Sequence, residues 1–104
     1  MRIDFLKPDF EKGINSTVRK GIRSFNAGDS LELYKTGAEL PTSFGEVIGV
    51  LVTDLFVIDL FPELLKYQHD KETRTYYGLI NALHEAYDKN LSTYEPMTII
   101  YFDV

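Results

Sequence analysis

The last nine residues of the chain limit its fold more than any other stretch. Pro96 to Val104 contains Met97-Thr-Ile-Ile-Tyr-Phe102, a β-branched and aromatic run that is apolar at odd and even positions alike. Side chains of a strand alternate between two faces, so this run predicts a central strand covered on both sides. At 104 residues the chain is long enough for one core and too short for two, which predicts a single domain over 1–104. With no cysteine, disulfides and thiolate metal sites are excluded. Only His69 and His84 remain as nitrogen ligands, so neither a metal nor a cofactor is expected.

Around that strand the pattern alternates short strands with helices. Arg2 to Leu6, Thr17 to Ile22 and Ser30 to Tyr34 read as strands, the last placing Leu31 and Leu33 on the core. Pro8 predicts a helical turn through Phe10 that Gly13 closes, and Asn26-Ala-Gly-Asp29 predicts a tight turn. Thr36 to Gly45 reads as a loop before a long strand, Glu46 to Ile58, bending near Thr53-Asp54. Asp59 is expected to cap a short helix with Pro62 in its first turn, ending near Gln68. A second helix from Thr73 or Thr75 to Lys89, stopped by Asn90, carries Tyr76, Leu79, Ile80, Leu83 and Tyr87 as one apolar stripe. The expectation is an α+β fold, about five strands curled around a core with two or three helices on the rim.

The net charge of -5 argues against coating of duplex DNA, which rests on many lysine and arginine contacts to phosphate. Charge is unevenly distributed, however: residues 1–23 hold six bases against three acids, a local +3, which leaves -8 elsewhere. That asymmetry fits either a local anion site carried by Arg19, Lys20 and Arg23 or an ordinary solvated face. The apolar stretch Val47 to Leu60, interrupted by Thr53, Asp54 and Asp59, is too short to span a bilayer, and the N-terminus lacks a signal peptide's apolar segment, so a cytoplasmic location without membrane contact is expected.

Several motif fragments fail on their partners. Lys35-Thr36-Gly37 lacks the serine-x-x-lysine that serine β-lactamases need, and His84-Glu85 lacks a second histidine four residues on. No glycine-rich phosphate loop is present. Among the aromatics, Phe25, Tyr34 and Phe44 lie in or near loops where a base could stack, while most others fall on periodic apolar faces.

What remains is an order: Gly13-Ile-Asn-Ser-Thr17-Val-Arg19, Gly28-Asp29, Glu46-Val-Ile-Gly-Val-Leu-Val-Thr53, Glu72 ahead of a helix, and the closing strand. From about Phe5 to Val104 this order resembles the ASCH domain of the PUA-like superfamily, small β-barrels associated with RNA. The resemblance implies a PUA-like barrel of five or six strands and a cleft near Thr17, Arg19 and Glu72 that binds RNA or a modified nucleoside. One branch of that family deacetylates acetylated cytidine with a lysine, a threonine and a glutamate; Thr17 and Glu72 match two of these. The lysine position falls on Ile14 or Asn15, neither of which can move a proton, so an amidohydrolase would need Lys12 or Lys20 in that role. Without a lysine, Glu72 would have to act as the base in a buried setting. A third reading, a phage-borne adaptor or inhibitor, would use the acidic remainder to engage a basic protein partner.

Overall fold

The computed structural model describes residues 1–87 and 91–104. Five strands form one mixed sheet: β1 (Arg2–Phe5), β2 (Ile14–Lys20), β3 (Ser30–Lys35), β4 (Ser43–Asp54) and β5 (Pro96–Asp103), in the spatial order β1-β3-β4-β5-β2. Only β1 and β3 run parallel; the other three pairings are antiparallel. Two α-helices, α1 (Leu55–Leu60) and α2 (Tyr76–Ala86), and two short 3-10 turns, Pro62–Leu65 and Lys71–Arg74, lie between β4 and β5. The fold is α+β, and β5 is central, as its apolar run demanded.

The two faces of β5 belong to two hydrophobic clusters of the one domain. Met97 and Ile99 pack with Val18, Leu55, Ile58, Leu65, Leu79 and Leu83, which brings both helices onto the outer face. Ile100 and Phe102 pack with Ile3, Phe5, Leu31, Leu33 and Val47, so the inner face is covered by the sheet's own far strands. A sheet can cover its own face only by curling strongly. The break in register between Val47 and Gly49, where a bulge raises local twist, supplies part of that curl. Gly45 supplies another part: a Cβ there would lie 2.7 Å from the Asp103 carbonyl oxygen. The ladders do not close into a barrel, since β1 and β2 are the two edges of the sheet. Those edges nevertheless meet through side chains, with the Arg19 guanidinium carbon 4.7 Å from the centre of the Phe5 ring.

Several local expectations shift for identifiable reasons. β4 stops at Asp54, whose carboxylate accepts a hydrogen bond from the Val57 N–H, so the chain enters α1 there and Asp59 lies inside that helix. Leu55 and Ile58, one helical turn apart, then face the same core. Residues 8–13 are not helical. Instead Phe10 packs on Phe5 and Phe102, and the Asn15 side chain bonds the backbone of Glu11 and Gly13, fixing an irregular loop. β2 begins at Ile14, three residues before the expected Thr17, because Asn15 and Ser16 pair with Phe102 and Tyr101. Asn26–Asp29 forms the expected turn, with Gly28 at φ 95°. Thr75 caps α2 through Gly78 N–H; the expected end of that helix at Lys89 and its stop at Asn90 lie outside the described residues. Among the described residues, no helix is long and apolar enough to cross a membrane.

Candidate functional site

The free edge of β2 builds the site. Residues Tyr67 to His69 lie alongside it as a short parallel bridge: Ser16 N–H donates to the Tyr67 carbonyl at 2.6 Å, and His69 N–H donates to the Ser16 carbonyl at 3.1 Å. Gln68, fully buried, fastens this contact by donating from its amide to Ser16 Oγ and accepting from Thr73 Oγ1, each at 3.2 Å. The Lys71–Arg74 turn is held in turn by Asp70, whose carboxylate accepts from the Glu72 N–H. Helix α2 then approaches so closely that a Cβ on Gly78 would overlap the Glu72 carbonyl oxygen. Glycine is required there by proximity, since the approach is backbone to backbone.

These contacts enclose a cleft of about 500 Å³ lined from β1 and the residues after it, from β2, from the Gln68–Thr73 segment and from α2. Thr17, Arg19 and Glu72, distant in sequence, share it. Thr17 is buried, and its Oγ1 accepts a hydrogen bond from Arg19 Nε at 3.0 Å. That leaves the Thr17 hydroxyl proton to be donated elsewhere. Burial pushes the Arg19 pKa down, offset in part by Tyr87 beside it, yet a guanidinium stays charged. Among the described residues no carboxylate reaches salt-bridge distance of Arg19, so the cleft holds a half-buried cation whose remaining N–H groups can serve a ligand. Glu72 is exposed at the rim, without the burial on which a base role would depend.

Lys20 and Arg23 are not brought to this cleft. Lys20 pairs with Glu95 at 3.2 Å, and Arg23 is exposed and donates to the Lys20 carbonyl, beside a smaller recess between the β1 and β2 edges. The basic N-terminal segment is divided: Arg2, Arg19 and Arg23 border the smaller recess, Arg2 being held by Asp4 at 2.8 Å and lying over the Tyr34 ring, while Lys12 is exposed away from the cleft. Of the aromatics expected to stack a base, Tyr34 is covered by Arg2 and Phe25 packs on the inner core. Phe44 is exposed but outside the cleft. The aromatic rings that do line it are Phe5 and Tyr87.

Two side chains in the cleft escaped the sequence reading. Lys7 lines it from the segment after β1, and His69 lines it from the bridge along β2. Neither has a local signal in the sequence, because each is placed by a long-range pairing. The ionisable lining is acidic on balance, with Asp4, Asp70, Glu72 and Glu85 against Lys7 and Arg19. Among the described residues, no three histidine or carboxylate side chains are grouped to hold a metal ion. Comparison with protein-family models, curated proteins and solved structures gives no match to this chain.

Proposed function

We propose that the chain is an ASCH-like domain with a PUA-like curled sheet, and that its cleft binds a nucleoside or the corresponding unit of an RNA. The supporting observation is that Thr17, Arg19 and Glu72 line one cleft in which Arg19 has no carboxylate partner among the described residues. The curl that brings Arg19 on one sheet edge against Phe5 on the other supports the barrel-like reading. Between the two ligands, the lining favours the nucleoside: four carboxylates against two cations repel a run of phosphates, while a single half-buried guanidinium suits a carbonyl or ring-nitrogen acceptor. Calorimetric titration with cytidine, uridine, adenosine and single-stranded RNA tests this. Binding of a nucleoside that Arg19→Ala weakens about tenfold or more, as expected for a charged hydrogen bond, bears it out. Absence of binding to any of them leaves the protein-adaptor reading in its place.

One observation favours a second reading, an amidohydrolase acting on acetylated cytidine. Lys7 stands in the same cleft as Thr17 and Glu72, whereas Lys12 and Lys20 do not. Lys7 would then supply the base that Ile14 and Asn15 cannot. Incubation with acetylated cytidine, followed by chromatography, separates the readings. Turnover abolished by both Lys7→Ala and Thr17→Ala makes the protein an enzyme; the binding reading predicts none.

A further inference from the structure

We propose that His69 reads the ligand in this cleft, its ring Nε2 accepting a hydrogen bond from an N–H group of the bound nucleoside. The proposal rests on the nucleoside reading above. Ser16 O accepts from the His69 backbone N–H and lies 3.2 Å from ring Nδ1. A carbonyl oxygen only accepts, so Nδ1 carries the proton. In the neutral ring Nε2 is then a lone-pair acceptor.

That acceptor has nothing to accept from within the described residues, because the only hydrogen bonds of His69 there run to Ser16. It is not sealed in the protein either, since among the described residues no buried side-chain nitrogen or oxygen lacks a partner. An unpartnered Nε2 must therefore reach open space, and the space His69 borders is the cleft. A half-turn of the ring would put Cδ2 in place of Nδ1 and lose the Ser16 bond, and Phe5 at 4.8 Å and Phe10 at 5.7 Å between ring centres flank it.

The two polar groups are chemically opposite. Arg19 can only donate, and neutral His69 offers its free nitrogen only to accept. Together they match a ligand edge that carries an acceptor and an N–H donor, such as a pyrimidine with an exocyclic amine beside its ring nitrogen and carbonyl. Cytidine meets this pair with its amine N–H and uridine with its ring N3–H, which cytidine lacks, so the two nucleosides would seat differently.

Calorimetry with cytidine and uridine at neutral pH, on the wild-type chain, His69→Asn and His69→Gln, tests the proposal. Asparagine places an N–H near the position of Nδ1–H and can keep the Ser16 bond, but puts nothing at Nε2; glutamine puts its amide near Nε2. The expected result is that His69→Asn melts close to the wild type yet binds cytidine about tenfold more weakly, with part of the affinity recovered in His69→Gln. Equal cytidine affinity in wild type and His69→Asn overturns the proposal while leaving the cleft reading intact. No binding of either nucleoside by the wild type overturns both. Should the variants fail to fold, nitrogen-15 NMR of the wild-type imidazole decides: cytidine must move the Nε2 resonance, and an unmoved resonance refutes the contact.

Discussion

At the scale of single residues, His69 links stability to pH. Burial holds its pKa below the ordinary 6.5, and Arg19 lowers it further, against the Ser16 bond and the carboxylates of Asp70 and Asp9. The folded state therefore binds this proton less readily than the unfolded chain does. Its contribution is complete above about pH 6.5 and is lost as pH falls from there through the depressed folded value. Urea unfolding across pH 7.5 to about 5 should show stability falling in the wild type, with a shallower slope in His69→Gln. An unchanged slope would mean that other groups titrate there. Gly78 supports a second test. In Gly78→Ala the new methyl group must displace either α2 or the Glu72 backbone, a strain of about 1–3 kcal/mol that thermal melting would register. A variant as stable as the wild type would show that the Lys71–Arg74 turn is held loosely.

At the scale of elements, α2 is anchored by Leu79 and Leu83, both buried against the outer face of the sheet. Leu83→Ala should lower stability by about 2–5 kcal/mol in chemical denaturation, the range for deleting a buried leucine side chain. Asp54→Ala removes the cap that turns β4 into α1 and should lower it by about 1 kcal/mol. Most of the elements were legible in the sequence, because each carries its own period. Leu31 and Leu33 two apart, Leu79 and Leu83 four apart, and the doubly apolar run of β5 declare their faces locally. Element junctions were less legible. Asp54 and Asp59 are equally good caps as sequence, and what selects Asp54 is that Leu55 and Ile58 then meet Met97 and Ile99. Pro8 could open a helix, but Phe10 gains more by joining the Phe5–Phe102 cluster.

At the scale of the whole molecule, the same division explains the site. Thr17, Arg19 and Glu72 could be named from their order along the chain, whereas Lys7 and His69 became visible only once β1, the Tyr67–His69 bridge and β2 were assembled. Lys20 fell away because alternation along β2 sends it to a different face from Arg19, opposite Met97 on the outer core. The curled sheet thus half-buries one arginine where two edges approach, while the acids around the cleft set a negative rim. Such a rim predicts that adding a phosphate to the nucleoside weakens binding, and that raising salt recovers part of the loss by screening.

The most direct test is a nitrogen-15 NMR titration of the intact chain with cytidine, its 5′-phosphate in parallel. A nucleoside seated in the cleft should give amide shifts concentrated at Thr17, Arg19, Gln68, His69 and Gly78, saturating at lower concentrations of cytidine than of its 5′-phosphate. Shifts centred instead on the exposed apolar residues of β4, Phe44, Ile48 and Leu51, or no shifts at all, would contradict it.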